Sequence, residues 1–374
     1  MEREIAISKL EEAAGQFCFQ GEIAAAKPFG NGHINDTFLI TCKEGEKTQR
    51  YILQHLNQEV FQQPELLMEN VVNVTQYLRK MVLQQGGDPQ REVLNVVPTR
   101  SGQWLYCDSV GSYWRSYSFI EGTECLDEVE KPEQFYESAY VCGKFQSMLA
   151  DYPAATLHET IPDFHNTPVR FETFCKAVQA DVCGRAKFAQ KEIDFVMRHK
   201  EDTHALTDLL QAGQLPLRVT HNDTKLNNIM LDKETGKGLC IVDLDTVMPG
   251  LSLYDYGDSI RFGASTAAED EPDLDKVHLD LTLFETYTKG FLDACGANLT
   301  AKELEMLPMG AKVITLECGM RFLTDYLQGD TYFKIHREGH NLDRCRTQFK
   351  LVAEMEEKWA DMQRIVNRCI PALA

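Results

Sequence analysis

The strongest constraint in this sequence is a polar loop set between apolar residues, VTHNDTKLNNIML over residues 219–231. Within it, His221 stands two positions before Asp223, and Asn228 follows Asp223 by five positions. A polar turn before a hairpin, with its acids in solvent, would explain a lone His-x-Asp pair. Here the full pattern H-x-D-x-x-x-x-N lies between apolar runs, which favours side chains gathered for chemistry over a solvated turn.

A second acidic pair follows, because the next apolar run reads IVDLDT and contains Asp243 and Asp245. Transfer of a phosphoryl group needs a carboxylate that orients the attacking hydroxyl and accepts its proton. It also needs hard oxygen ligands for magnesium. The sequence therefore predicts Asp223 as the catalytic base, together with its motif partner His221. It predicts a magnesium site at Asn228, Asp243 and Asp245.

The first 119 residues have the pattern of a small antiparallel sheet with one packed helix. Glycine-containing turns separate short extended runs, and Pro64 opens a helix with an apolar stripe from Leu67 to Leu78. The strands are predicted at residues 22–29, 36–42, 50–56, 93–97, 103–107 and 113–120.

Beyond residue 121 the pattern changes to helices. One apolar stripe runs from Phe135 to Leu149 and another from Phe349 to Met362, with an extended run at residues 239–244 between them. Together with the H-x-D-x-x-x-x-N and D-x-D spacing, this order resembles the protein-kinase-like aminoglycoside phosphotransferases. We therefore expect a two-lobed α+β fold. The N-terminal nucleotide-binding lobe is predicted at 1–119 and the mainly helical lobe at 120–374, with a hinge at 118–122.

Nucleotide contacts are predicted in the first lobe and at the hinge. The loop FGNGHINDTF over residues 29–38 lies between the first two strands, and its glycines let backbone N–H groups approach a phosphate. The third strand carries Gln54 where kinase-like enzymes have a lysine, so phosphate binding should depend more on magnesium. The predicted nucleotide-binding residues are Gly30, Gly32, Asn35, Gln54, Ser118, Phe119 and Ile120.

Three further acids lie near these motifs. Without the strand lysine, the helix residue Glu69, which would normally pair with it, has no clear role. Asp255 and Asp258, in the segment LYDYGDS, are predicted to brace the catalytic loop and not to contact substrate.

The composition restricts the partners and the location. With 38 basic and 57 acidic residues the formal net charge is −19, which disfavours nucleic acid and anionic membrane surfaces. An acidic start and the lack of any apolar run of about 18 residues predict neither a targeting segment nor a membrane span. The 12 scattered cysteines, without a C-x-x-C pair, are expected to be free thiols in a cytoplasmic protein.

Beyond the general motif, several segments over about residues 30–356 resemble those of the bacterial N-acetylhexosamine 1-kinase family. That family transfers the γ-phosphate of ATP, with Mg²⁺, to the anomeric hydroxyl of N-acetylglucosamine and N-acetylgalactosamine. The resemblance implies the same reaction, substrates and cofactor here, and it implies a sugar pocket that contains His33, Phe262, Arg321 and Tyr332. The segments are FGNGHIN, RYILQ, VTHNDTKLNN, IVDLDTVMPG, YGDSIRFGASTA and LECGMRFLTDYLQGDTYF.

Two alternatives stay open at this point. A kinase-like phosphotransferase for an aminoglycoside, choline, homoserine or methylthioribose fits the same motif, and the net charge of −19 would suit a cationic acceptor. Against a cationic acceptor, residues 314–333 present Arg321 and several aromatic residues. The other alternative is an inactive nucleotide-binding module, which only the absent lysine favours. The oligomeric state and the preferred hexosamine epimer have no signal in the sequence.

Overall fold

The computed structural model describes residues 7–30 and 34–370. An antiparallel sheet forms the N-terminal region and helices dominate the C-terminal region, so the predicted α+β, protein-kinase-like architecture is confirmed. Gly32 and His33, two of the predicted site residues, lie outside the described residues.

The N-terminal sheet has the strand order β1-β2-β3-β6-β4, and β5 also pairs with β6. Every pairing in it is antiparallel. All six predicted strands are present, although the fourth and fifth are reduced to two residues each. The strands are β1 (Glu22–Pro28), β2 (Asp36–Glu44), β3 (Lys47–His55), β4 (Val96–Val97), β5 (Tyr106–Cys107) and β6 (Tyr113–Ser118).

The two faces of this sheet have different partners. On the outer face, Leu53 and Trp114 join a buried cluster with α1 (Ile7–Ala14), a helix that the sequence reading did not predict. Because side chains alternate along a strand, the neighbouring residues Gln54 and Arg115 lie on the other face. The β3–β6 register places these two residues directly opposite each other.

The helix predicted from Pro64 is α2 (Pro64–Gln84), which has the proline in its first turn. Its apolar stripe is buried in the same core as the helices of the C-terminal region. The Asn70 amide group also donates to the Val247 carbonyl oxygen at 3.0 Å. The helix therefore links the N-terminal sheet to the segment that follows the D-x-D pair.

The C-terminal region consists of helices around three short strand pairings, β10-β9-β7 and β11-β8. The strands are β7 (Thr123–Glu124), β8 (Arg218–Thr220), β9 (Ile229–Asp232), β10 (Gly238–Ile241) and β11 (Met248–Gly250). The helices are α3 (Pro132–Met148), α4 (Thr167–Ala180), α5 (Gln190–Arg198), α6 (Thr207–Gln211), α7 (Ser252–Gly263), α8 (Leu281–Cys295), α9 (Ala301–Gln328), α10 (His340–Glu357) and α11 (Trp359–Cys369).

Two predicted elements differ in extent. The C-terminal apolar stripe is divided between α10 and α11, with the break at Lys358. The extended run at 239–244 is a strand only to Ile241, because Asp243 adopts a left-handed backbone with φ of 61°. The chain then turns into a short 3-10 helix at Leu244–Thr246, which places the D-x-D carboxylates beyond the end of the strand.

Two predictions from composition can be compared with the structure. All 12 cysteines lie in the described part of the chain, and each is a free thiol, as predicted. Within residues 7–30 and 34–370, no helix has both the length and the apolar character needed to cross a membrane.

Candidate active site

The polar loop lies between β8 and β9, which belong to different small sheets. The His221 ring at its start is fully buried. His221 Nε2 donates to the Val242 carbonyl oxygen at 2.9 Å, and Nδ1 accepts from the Asp223 amide at 3.3 Å. One ring nitrogen therefore binds the D-x-D segment and the other binds the backbone of the loop. These bonds indicate that His221 holds the loop in place.

Asp255, on α7, fixes the backbone of this loop. Its carboxylate accepts from the amides of His221 at 3.0 Å and Asn222 at 2.7 Å, and from the Gln146 side chain at 2.6 Å. Asp255 is 1% exposed, so these bonds replace water around a buried charge. The bracing role predicted for Asp255 is confirmed by these contacts.

Asp258, one turn further along α7, fixes the next part of the loop. It accepts from the Thr224 amide at 3.2 Å and pairs with Arg261 at 2.7 Å. Burial raises the pKa of Asp258, but the Arg261 charge and hydrogen bonds outweigh this effect and the net shift is downward. One helix therefore supplies both carboxylates that shape the catalytic loop, as predicted.

Asp223 is the loop carboxylate that remains accessible, with a quarter of its side chain exposed. Lys225 Nζ lies 2.8 Å from Asp223 Oδ1, and Asn228 Nδ2 donates to Asp223 Oδ2 at 3.1 Å. Burial lowers the pKa of Lys225, but the Asp223 carboxylate raises it by more. The net shift is upward, so the ammonium form of Lys225 is favoured. The loop thus presents one carboxylate and one ammonium group side by side.

Asp243 belongs to the same cluster of charges. Its side chain is exposed to solvent, although many protein atoms surround the carboxyl group. This desolvation raises the pKa of Asp243, and the negative charges of Asp245 and then Asp223 raise it further. The charge of Asp223 contributes to this shift, so the two predicted site carboxylates lie within electrostatic reach of each other.

The donor atoms at this place fit a magnesium ion. Asp243 offers a carboxylate, and Asn228 offers its side-chain oxygen because its nitrogen donates to Asp223. Magnesium prefers oxygen ligands and keeps several waters, so two protein ligands with substrate phosphates are sufficient. The crowding of carboxylates that raises the pKa of Asp243 is also what a divalent cation relieves.

Asp245, the other predicted metal residue, has different partners. It is 4% exposed and forms an ion pair with Arg115 of β6. Its Oδ2 accepts from Asn35 Nδ2 at 2.7 Å. Asn35, predicted to bind nucleotide, thus ties the end of the glycine loop to the D-x-D segment.

Other predicted nucleotide residues lie at the ends of two strands, with Gly30 after β1 and the hinge residues from Ser118 to Ile120 at the end of β6. Gly30 has a left-handed φ of 78°, a conformation that glycine adopts without strain. In the hinge, the Ser118 and Phe119 amides donate to carbonyl groups of Asn95 and Arg50, and the Ile120 carbonyl accepts from Thr123 at 2.7 Å. These bonds fix the hinge backbone.

The structure also places an aromatic and cationic surface beside the catalytic loop, which we call the acceptor wall. Arg321 of α9 lies over three rings, with its guanidinium carbon 5.3 to 5.8 Å from their centroids. Arg170 donates to the Phe164 carbonyl at 3.1 Å. The acceptor wall consists of Phe164, Arg170, Arg321, Tyr332 and Phe333.

The two guanidinium groups of the acceptor wall lie near each other. Burial lowers the pKa of Arg170, and the charge of Arg321 lowers it further. Within the described residues, neither arginine forms an ion pair with a carboxylate, unlike most cations of this acidic chain. The buried Glu317 carboxylate acts electrostatically on both guanidinium groups without a direct ion pair, so their hydrogen-bond donors are left for other partners.

Asp325 fixes the segment that carries two of these rings. Its carboxylate accepts from the amides of Thr331, Tyr332 and Phe333 at 2.8 to 2.9 Å. Asp325 follows Arg321 by one helical turn on α9, so one face of this helix supplies both the guanidinium and the anchor of the rings.

Helix α7 joins the acceptor wall to the catalytic loop. The Tyr254 ring lies 5.0 Å from that of His165, and His165 Nδ1 lies 2.8 Å from Glu317 Oε1, one turn before Arg321. Phe262, the fourth residue predicted for the sugar pocket, is half-buried near the end of the same helix. These contacts connect the acceptor wall to the helix that braces the catalytic loop.

Several residues of this cleft were not predicted. Lys225 lies inside the quoted motif, and a cation two positions after the predicted base was the signal that could have identified it. Phe164 and Arg170 lie in a segment with no recognisable pattern, and Arg115 lies in an ordinary strand. Glu69, which had no clear role, pairs with His158 at 3.0 Å and is directed away from Gln54.

The family profile described as phosphotransferase enzyme family (APH) matches residues 25–290 of this chain. Among solved structures, an aminoglycoside phosphotransferase from Alicyclobacillus acidocaldarius superposes with a TM-score of 0.60 at 12% identity, and the alignment covers 96% of each chain. Spectinomycin phosphotransferase APH(9)-Ia, in complex with ADP and spectinomycin, gives 0.54 at 11% identity over 98% of this chain and 99% of that one.

A choline kinase from Cryptosporidium parvum Iowa II is similar as well, with a TM-score of 0.51 at 13% identity over 91% of each chain. Identities this low show a shared fold and carry no information about the acceptor. The profile match is the stronger finding, because it spans most of both lobes and includes the catalytic loop and the D-x-D pair. On that evidence the chain belongs to the phosphotransferase enzyme family.

Proposed function

We propose that this protein transfers the γ-phosphate of ATP to the anomeric hydroxyl of an N-acetylhexosamine, with Mg²⁺ bound in the cleft. Membership of the phosphotransferase family supports transfer to a small molecule. The observation that carries the proposal is the joint placement of Asp223, Asn228 and Asp243 at one side of the cleft. The acceptor wall, with Arg170 and Arg321, forms the other side.

In this proposal the nucleotide lies between residues 1–119 and 120–374. Magnesium, held by Asn228 and Asp243, neutralises charge on the phosphates. Asp223 orients the attacking hydroxyl and accepts its proton, and the Lys225 ammonium group offsets charge on the oxygens of the transferred group. An anomeric hydroxyl is more acidic than an ordinary alcohol, so a carboxylate is a sufficient base.

The chemistry of the acceptor wall supports a neutral sugar. Guanidinium groups donate hydrogen bonds to hydroxyl and acetamido oxygens, and aromatic rings pack on the apolar face of a sugar ring. Arg321 and Tyr332, both predicted from the family resemblance, lie in this wall with their centres 5.8 Å apart. His33 lies outside the described residues, so its role stays a prediction.

A cationic acceptor is the alternative that the family makes plausible, since aminoglycosides and choline are cations at neutral pH. The positions of Arg170 and Arg321 oppose it, because two guanidinium groups without a carboxylate partner repel a cationic ligand. The same surface favours substrates that carry many oxygen atoms able to accept hydrogen bonds.

The test is an acceptor panel. The purified protein is incubated with ATP, Mg²⁺ and N-acetylglucosamine, N-acetylgalactosamine, glucose, kanamycin or choline, and products are identified by phosphorus and proton NMR. We expect a new phosphate on C1 of the two N-acetylhexosamines and none on kanamycin or choline. Phosphate on a cationic acceptor alone, or on another hydroxyl of the sugar, would contradict the proposal.

A further inference from the structure

The absence of a lysine on β3 raises the question of what replaces it. In kinase-like enzymes a strand lysine paired with a helix glutamate must be in place for transfer, because the pair couples the N-terminal sheet to the phosphates. Here Gln54 occupies the strand position and donates to Thr37 Oγ1 at 3.1 Å. The helix acid is absent from this place too, because Glu69 pairs with His158 and more than half of its side chain is exposed.

A cation does lie on this face of the sheet, one strand away. Arg115 of β6 is the register partner of Gln54, and its Nε donates to Gln54 Oε1 at 2.9 Å. Its side chain is 1% exposed. On the helix side it is covered by Met68, whose sulfur lies 3.9 Å from Nη1. The glutamine thus serves as an acceptor that orients a buried guanidinium.

The carboxylate that pairs with this guanidinium comes from the other lobe. Arg115 Nη1 forms an ion pair with Asp245, two residues after the proposed metal ligand Asp243. Asp245 also accepts from Asn35, whose own side-chain oxygen accepts from the Asn57 amide at 3.0 Å. One carboxylate of the metal loop is therefore fixed to the sheet and to the end of the glycine loop.

The location of this pair argues against a role in stability alone. A buried ion pair between two lobes is expensive to desolvate, and well-packed apolar residues usually stabilise as well or better. The pair nevertheless lies next to the site carboxylates, where the charges of both Asp243 and Asp245 act on Arg115. The Tyr117 hydroxyl, on the same strand face, is also buried without a hydrogen-bond partner among the described residues.

We propose that the Arg115–Asp245 pair replaces the strand lysine and helix glutamate, and that Arg115 is a positioning residue for the metal loop. Through Asp245 it sets the place of Asp243 relative to the glycine loop and supplies positive potential beneath the phosphates. This inference rests on the proposed kinase function. It implies that removal of Arg115 weakens the binding of Mg²⁺ and ATP. Binding of the sugar at the acceptor wall should change little.

The experiment compares wild type with Arg115→Gln, Arg115→Lys and the double variant Gln54→Lys/Arg115→Gln, which moves the cation back to β3. Arg364→Gln, a 69% exposed surface arginine with a carboxylate partner, is the matched control. For each protein, ATP binding is measured by calorimetry with and without Mg²⁺. The KM values for ATP and for N-acetylglucosamine, the half-saturating Mg²⁺ concentration and Tm are also measured.

For Arg115→Gln we expect the half-saturating Mg²⁺ concentration and the KM for ATP to rise about tenfold or more, with the KM for the sugar changed less than about threefold. Arg115→Lys should be intermediate, because lysine keeps the charge and loses the fork that contacts Gln54. The double variant should recover a substantial part of the loss. The surface control should match wild type.

Several outcomes would contradict the proposal or the function on which it rests. Equal changes in both KM values, or a double variant no better than Arg115→Gln, would reduce the pair to a structural contact and overturn the proposal. If Arg115→Gln does not fold, Arg115→Lys decides, and an unchanged Mg²⁺ titration in that variant overturns it as well. Failure of the wild-type protein to bind ATP would instead contradict the proposed function, before any variant is compared.

Discussion

At the proposed nucleotide end of the cleft each cation forms an ion pair with a carboxylate, whereas at the acceptor end Arg170 and Arg321 form no direct ion pair among the described residues. Arg115 pairs with Asp245, and Lys225 pairs with Asp223. In the acceptor wall, the guanidinium of Arg321 faces aromatic rings. The two ends therefore differ in how their cations are paired.

In the proposed function, this difference accounts for the binding of an anionic nucleotide by an acidic protein. At the nucleotide end the three site carboxylates outnumber the two cations, so a divalent metal ion is needed to accommodate the phosphates. At the acceptor end the two guanidinium groups offer hydrogen-bond donors, which in the proposed function favours oxygen-rich molecules over cations. The predictions below act on one end at a time.

The largest effect is expected at the catalytic carboxylate. Asp223→Asn should lower kcat about 10²- to 10⁴-fold, because an amide does not accept the hydroxyl proton, while ATP binding changes little. Steady-state kinetics and calorimetry measure the two quantities. Asp208→Asn, at a 67% exposed aspartate, is the control. Near-wild-type turnover in Asp223→Asn would remove it as the base.

Substitution in the acceptor wall should affect only the binding of the sugar. Arg321→Ala and Arg170→Ala should each raise the KM for the N-acetylhexosamine about 10- to 100-fold and leave the KM for ATP nearly unchanged, since each removes charged donors from one end. Arg364→Ala serves as the surface control. A parallel rise in the ATP KM would show that the two ends are not independent.

A smaller effect on the same end is expected from Asp325. Asp325→Asn weakens the bonds to the three amides that position Tyr332 and Phe333, so the rings lose their fixed orientation. We expect the sugar KM to rise about 3- to 10-fold at constant ATP KM. No change in the sugar KM would mean that the rings do not contact the acceptor.

The smallest kinetic effect is expected far from both ends, at Glu354 of α10. Burial raises the pKa of Glu354, but bonds from Lys358, His278 and the Leu279 amide outweigh it and lower the pKa to about 2, against an ordinary value of 4.5. A lowered carboxyl pKa contributes stability above the unfolded value, and this contribution is lost as pH falls towards 2.

Glu354→Gln should therefore lower the free energy of unfolding at pH 7 by about 1–3 kcal/mol and leave both KM values unchanged. The difference from wild type should narrow as pH falls from about 5 to 2. Thermal unfolding at several pH values measures it, with the exposed Glu357→Gln as control. A difference independent of pH would remove the ionised carboxylate as its cause.

The sequence predicted the catalytic end better than the acceptor end for a physical reason. Asp223, Asn228 and their apolar flanks form one continuous segment, so the spacing of the motif reports the geometry of the loop directly. The bracing residues Asp255 and Asp258 were also found, because they recur on one helix close behind it. The alternating strands of the N-terminal region were predicted for a similar local reason.

Contacts between distant segments left no such pattern. Gln54 and Arg115 are 61 positions apart, and their contact depends on the pairing of β3 with β6. Arg170 reaches Arg321 only through the packing of α4 on α9. The predicted metal role of Asp245 followed from the D-x-D spacing. Its ion pair with Arg115 joins distant segments, so no local sequence pattern predicts it.

The account depends on Asp223, Asn228 and Asp243 acting together on one substrate complex. A crystal structure with Mg²⁺, a non-hydrolysable ATP analogue and N-acetylglucosamine tests this most directly. We predict a metal ion between Asn228 Oδ1 and the Asp243 carboxylate, the sugar against Arg321, and its anomeric hydroxyl at hydrogen-bond distance from Asp223. A triphosphate bound away from Asp243, or a sugar bound away from the acceptor wall, would contradict the account.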